Sequence, residues 1–137
     1  MSTLNVDALV GNTSANAITV RGEGTATTSL QQGLCKMWLH VSADGETELD
    51  RFNVSTHDDD GAGDGGVHIS SNMASANYCV QLSCNDGGAT TSIQGIDLTQ
   101  GTQTSGTFDY ETFYVTAGEN RTAFNIVRYI AVFGDLA

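Results

Sequence analysis

Apolar and polar residues alternate along most of this chain, and clusters of glycine, aspartate and serine break the alternation about every ten residues. Cys35, Met37, Leu39 and Val41 fall on every second position, with Trp38 on the opposite side, which is the period of a β-strand. Leu30, Leu34, Met37, Trp38 and Val41 also fit helical spacing over residues 29–41, but Gly33 weakens a helix there and the strand is preferred. Phe52 and Val54 share one face of the next predicted strand, and Val67 and Ile69 resume the pattern. Tyr78, Val80, Leu82 and Cys84 make a clean apolar side opposite Cys79, Gln81 and Ser83. Phe108, Tyr110, Thr112 and Tyr114 alternate with Asp109, Glu111, Phe113 and Val115. In the last stretch Phe124, Ile126, Arg128, Ile130 and Val132 lie on one side and Asn125, Val127, Tyr129, Ala131 and Phe133 on the other. Apolar groups on both sides predict a central strand.

Between these runs, Ala43-Asp44-Gly45-Glu46 reads as a tight turn, His57–Gly66 as the longest loop signal, and residues 85–106 as a loop-rich region anchored by Ile93, Ile96 and Leu98. The pattern predicts an all-β protein of roughly six to eight short strands, an antiparallel β-sandwich or jelly-roll-like domain. Residues 1–33 differ. They are small and polar, with Leu4, Val6, Leu9 and Val10 for one short strand and Ile18–Val20 for another. Too few large apolar groups are present to bury a core, so 1–33 is expected to be an arm for anchoring or inter-subunit contact, and 34–137 the domain. Leu4, Val6, Leu9 and Trp38 are the candidate interaction residues.

Composition narrows the partners. The 137 residues carry a net charge of −11 with only five lysines and arginines, so no basic patch exists to displace counterions from nucleic acid or to meet an anionic membrane. No apolar run is long enough for a membrane-spanning helix, and no secretory signal pattern opens the chain. The three cysteines, Cys35, Cys79 and Cys84, are an odd number, which predicts buried free thiols rather than a disulfide framework. The absence of proline leaves edge strands to be protected by charge or by pairing with another copy.

Candidate chemistry is sparse. Asp58, Asp59, Asp60 and Asp64 crowd a glycine-hinged loop that offers oxygen ligands for Ca²⁺, although the spacing lacks the EF-hand pattern and its distal glutamate. A solvated hairpin loop is the expected state of that run, with no metal. Asp109 and Glu111 fall on one strand face, where paired acids are usually a wet surface rather than a glycosidase site. His40, His57 and His68 have no metal-ligand spacing, and Cys35 and His40 lack an orienting third group. Trp38, Tyr78, Tyr110, Tyr114 and Tyr129 are candidates for stacking on sugar, although alternation sends most of them to the core or to inter-subunit faces. No catalytic constellation and no cofactor motif emerges.

Several short strings, in order, resemble a module of tailed-bacteriophage virion proteins of the marine type. Arg51-Phe52-Asn53-Val54-Ser55 is similar to its "FNVSS" strand, Asp60-Gly61-Ala62-Gly63-Asp64 to its "NGTGD" turn, Val67-His68-Ile69 to its "TVNF" strand, and Met73–Tyr78 to its "M-x-x-x-NY" element. Leu30–Trp38 resembles the "QQGLAKVW" run that precedes the module, and Leu4-Asn5-Val6-Asp7 the "LKVD" start of such fibre proteins. Gly65-Gly66 departs from the family turn, which ends in an aromatic and a threonine, and predicts a looser hairpin. The resemblance implies a non-enzymatic virion protein on the outside of the particle, commonly a homotrimer, made in the bacterial host cytoplasm. It implies as partners other copies of itself and the major capsid protein or other virion proteins. A capsid decoration (cement or head-fibre) protein is the first expectation, because no shaft repeat precedes the domain. A tail-fibre or tail-tip component that binds a host surface glycan or receptor is the second.

Overall fold

The computed structural model describes residues 4–11, 17–21, 25–85, 93–116, 118 and 120–137. It is mostly β, with antiparallel sheets, and divides into two units, Met1–Leu34 and Cys35–Ala137. Eleven strands and one short helix lie among the described residues.

In the first unit, β1 (Thr19–Arg21) pairs antiparallel with β2 (Thr27–Ser29), and one helical turn, α1 (Leu30–Gly33), follows. Ser29 caps that turn by accepting from the Gln32 amide at 3.4 Å. The strand expected over Leu4–Val10 does not form. These residues run as irregular chain with all four apolar side chains exposed, because no partner strand among the described residues of the unit supplies the hydrogen bonds that make an isolated extended segment stable. Gly22 and Gly24, which separate the two strands, lie outside the described residues.

The second unit holds two sheets. The first runs β4 (Glu48–Phe52), β3 (Cys35–Val41), β11 (Arg128–Phe133), β7 (Cys79–Cys84). The second contains β5 (Val54–Gly61), β6 (Asp64–Ile69), β8 (Ile93–Leu98), β9 (Thr107–Val115) and β10 (Arg121–Ala123). β9 organises the second sheet. Its residues 110 and 111 pair with β6 and β8 at once, so those two lie on opposite edges, and β10 continues the β6 edge opposite 113–115. Met37, Leu39, Val41, Ile130 and Val132 from the first sheet and Val54, Val67, Ile69, Phe108 and Tyr110 from the second form one buried cluster, joined by Met73 and Tyr78. β9 and β11 bury alternate residues, as their sequence period requires. β11 is central, between β3 and β7.

Three expectations are corrected. First, Phe52 and Val54 do not share a strand face. Asn53 has φ = 58°, a left-handed conformation that asparagine tolerates, and there the chain leaves one sheet for the other. The corner is held by the Asn53 side chain, which donates to the Lys36 carbonyl (2.9 Å) and the Ser71 carbonyl (3.3 Å) and accepts from the Ser71 amide (2.8 Å). Phe52 therefore faces outward opposite Trp38, while Val54 enters the core.

Second, most of His57–Gly66 is not a loop but two paired strands joined by a tight turn at Ala62-Gly63. Gly65 and Gly66, expected to loosen that hairpin, are buried ladder residues. A Cβ on Gly65 would stand 2.6 Å from Tyr110 Oη, so the missing side chain is what lets the tyrosine hydroxyl pass. Third, residues 93–98 form a strand rather than loop, because β9 offers a free edge and Ile96 packs against the core.

Asn53→Ala removes three hydrogen bonds and places alanine in a left-handed conformation. Denaturant unfolding should register a loss of about 2–4 kcal/mol, and Asn53→Gly, which keeps the backbone freedom, a smaller one.

Candidate functional site

Two features outside ordinary packing stand out: a polar cluster buried between the sheets and an aromatic outward face.

The buried cluster grows from β9 and β11. Thr112 on β9 is fully buried. Its amide donates to the Gly63 carbonyl at 2.7 Å, and its own carbonyl accepts from the Phe124 amide at 3.0 Å, so it bridges the ends of β6 and β10. Gly63 (φ +85°) is obligatory there, since a Cβ would stand 2.3 Å from the Thr112 carbonyl oxygen. Asn125 accepts from the Gly63 amide (2.7 Å) and donates to the Asp44 carbonyl (2.9 Å) in the β3–β4 turn. That turn is rigid in its own right. The Asp44 carboxylate accepts from the Ser42 and Thr47 hydroxyls and the Thr47 and Glu46 amides, which hold its carboxyl far below the usual carboxylate range.

Into this cluster projects Arg128, 0% exposed. Its Nη2 donates to Asn125 Oδ1 (2.8 Å) and Thr112 Oγ1 (3.3 Å), and the guanidinium lies 5.4 Å from the Tyr110 ring centroid. Both acceptors are neutral. Tyr110 Oη and His57 Nε2 are 2.7 Å apart. Burial, and then the Arg128 charge, push the His57 pKa below its ordinary value, against the opposing pull of Glu48, Asp59 and Asp58. Burial raises Tyr110 to about 12. A buried arginine cannot shed its proton, and desolvating an ion without a counter-charge costs several kcal/mol. Burial of Arg128 was implicit in its position among Ile126, Ile130 and Val132 on one strand face, but its residue type alone signals the surface.

The aromatic face is the outside of the first sheet. Trp38 stands directly opposite Phe52 on one side and Ala131 on the other; His40 stands opposite Asp50 and Tyr129. The His40 and Tyr129 rings stack at 4.6 Å. Trp38, Phe52, Tyr129 and Phe133 are all substantially exposed, with Gln81, Ser83 and Cys79 on the flanking β7. Asp50 is the one carboxylate of this face among the described residues. The other outward face is acidic. Asp58 and Asp109 lie across from Gly66, and Asp97 across from Glu111. Arg121 spans Asp97 and Glu111 at 2.9 Å each and lies 3.6 Å over the Phe113 ring.

The remaining candidates are placed as follows. Leu4, Val6 and Leu9 are exposed in the first unit. Of the sugar-stacking candidates, Tyr78 and Tyr110 are core residues and Trp38 and Tyr129 lie on the aromatic face. The four aspartates of the proposed Ca²⁺ loop do not converge. Asp58 Oδ2 is 2.8 Å from His68 Nε2, Asp59 caps the Gly61 amide at 3.1 Å, and Asp64 pairs with Gly61 and Glu111 in the ladder. Among the described residues no three His, Cys, Asp or Glu side chains gather as a metal ion would need. The cysteines are free, but Cys79 is exposed and Cys35 and Cys84 are only half-buried, because β7 is an edge strand and Cys35 opens β3. No helix among the described residues is long and apolar enough to cross a membrane.

Comparison with known protein families, characterised proteins and solved structures finds no match. The site must therefore be read from its own chemistry.

Because the folded protein holds His57 neutral, the unfolded chain takes up that proton first as the pH falls. The stability His57 contributes is complete above about pH 6.5 and is lost progressively below it. His57→Gln, which keeps a hydrogen-bonding partner for Tyr110, should flatten the pH dependence of the unfolding midpoint between pH 7 and pH 5 (approximate limits set by the imidazole range).

Proposed function

We propose that this chain is a non-enzymatic structural protein displayed on the outside of a tailed-phage virion, a capsid decoration protein that binds the major capsid protein. The observation that carries this reading is the division of character between the two outward faces. One presents Trp38, Phe52, Tyr129 and Phe133 with a single carboxylate among the described residues, and the other presents Asp58, Asp97, Asp109 and Glu111. A protein held by one side and displayed by the other needs this asymmetry. Exposed aromatics give large contact area at low conformational cost, and a like-charged outer side keeps particles apart. The exposed Leu4, Val6, Leu9 and Val10 supply a second apolar strip suited to gripping a neighbour, and the ordered strings shared in appearance with phage virion modules point the same way. The two sheets sharing one core suit a sandwich, and a homotrimer is the assembly that the resemblance implies.

A second reading is favoured by one specific feature. Trp38 and Tyr129 lie in adjacent rows beside Gln81, Ser83 and Asp50, an arrangement of aromatic rings and hydrogen-bonding groups that suits a host surface glycan. In that reading the chain is a tail-fibre or tail-tip component.

The purified chain should bind assembled cognate capsids but not free coat subunits, raise the temperature at which the particles rupture, and sediment as three 14.4-kDa chains. Trp38→Ser combined with Tyr129→Ser alters only outward positions, so it should leave the fold intact while weakening capsid binding at least about tenfold, as loss of aromatic anchors does. Labelling of host cells by the isolated protein, with no capsid binding, would favour the glycan reading instead.

A further inference from the structure

We propose that Arg128 holds one small monovalent anion, of the size and hardness of chloride, in the interior between the two sheets. The argument starts from donors. A guanidinium has five N–H groups, and Arg128 is 0% exposed. Its hydrogen bonds to Asn125 and Thr112 both leave from Nη2. Nε and Nη1 are buried and meet no hydrogen-bond partner among the described residues. Native interiors leave few such groups, and an internal water or ion is the usual resolution.

The choice between water and an ion turns on charge. Water meets the N–H groups but leaves a buried positive charge unbalanced, whereas an anion answers both. No carboxylate of the described residues comes within ion-pair distance of Arg128. Asp59, in the row Asp59–Gly65–Tyr110, accepts from the Gly61 amide at 3.1 Å. Glu48 lies in the row Glu48–Val41–Arg128, with one strand between its own and that of Arg128. Its Oε2 is 2.7 Å from Arg51 Nη1. The Asp44 carboxylate is turned into its own loop, and only the Asp44 carbonyl reaches the cluster, through Asn125. Arg128 is in no ion pair within 4.0 Å among the described residues. His57 adds a second unanswered group, since its Nδ1 is also buried without a partner while Nε2 faces Tyr110. If Nε2 accepts the tyrosine proton, Nδ1 carries a hydrogen and is a further donor on the same side of the core as Tyr110.

A ligand that binds only the folded state raises its stability with concentration, by equal steps for each tenfold increase once the site fills. The test is thermal unfolding of the full chain at constant pH and ionic strength, with sodium gluconate replaced stepwise by sodium chloride or bromide. Gluconate is a monoanion too large for the interior. The midpoint should climb with the logarithm of halide concentration at a slope of one ion per chain, and Arg128→Met should fold with a midpoint that ignores the substitution of anions. Identical midpoints in gluconate and halide would overturn the proposal. If Arg128→Met does not fold, crystals of the unaltered chain grown in bromide decide the matter. An anomalous peak within hydrogen-bond reach of Nε or Nη1 supports the site, and its absence, with only water at those atoms, overturns it.

Discussion

Between the two sheets, one guanidinium links elements of both. Arg128 on β11 bonds Thr112 on β9, and through Asn125 it is linked to the Gly63 turn of the β5–β6 hairpin and to the Asp44 turn of the β3–β4 hairpin. Hydrophobic burial brings the sheets together but is indifferent to small displacements, because an apolar contact has no direction. Hydrogen bonds do have direction. A slip of β11 by one residue would turn Arg128 to the outside and Tyr129 to the inside, losing the Arg128 bonds to Asn125 and Thr112 and burying a hydroxyl without a partner. The same constraint explains why residues with no bulk are needed nearby. Gly63 admits the Thr112 carbonyl and Gly65 admits the Tyr110 hydroxyl, at distances that no side chain would allow.

The polar cluster has a consequence at the surface. With β11 locked in register, its outward residues Tyr129, Ala131 and Phe133 are presented in fixed rows against His40 and Trp38 on β3 and Ser83, Gln81 and Cys79 on β7. A rigid array of rings loses little entropy on meeting a partner, which is what a docking surface requires. The second sheet carries the opposite character. There Asp58, Asp97, Asp109 and Glu111 face out, and Arg121 neutralises two of them while lying over Phe113. Charge also guards the edges in a chain without proline. β5 carries Asp58, Asp59 and Asp60, and β4 carries Glu48, Asp50 and Arg51, each an obstacle to edge-to-edge pairing with another molecule.

Much of this was legible before any coordinates. The period of two marked β3, β7, β9 and β11, and apolar residues on both sides of the final stretch marked β11 as central. Both are direct results of backbone geometry, since a pleated strand sends neighbouring side chains to opposite faces wherever it sits. The net charge was equally direct, because −11 is a property of the chain and not of its shape. The glycines were misread. Gly65 and Gly66 signal a loop when considered locally, yet both are strand residues, and the need for glycine at 65 is set by Tyr110, forty-five positions further on. β8 was missed for the same reason, as its few apolar residues make a strand only because β9 has an edge to offer.

The sequence by itself determined which side of β3, β7, β9 and β11 is apolar, that the chain is mostly β, and that it carries a net charge of −11. Only the tertiary structure decided that Asn53 is a corner between sheets, that Phe52 joins Trp38 outside while Val54 goes in, and that the Asp-rich run is a paired hairpin whose carboxylates diverge. It also decided that Arg128 is buried with its charge answered by no carboxylate of the described chain. The division has a physical reason. Periodicity and charge are set by neighbours within a few residues, whereas burial, close approach and hydrogen-bond partnership belong to pairs that are distant along the chain and meet only when the sheets close.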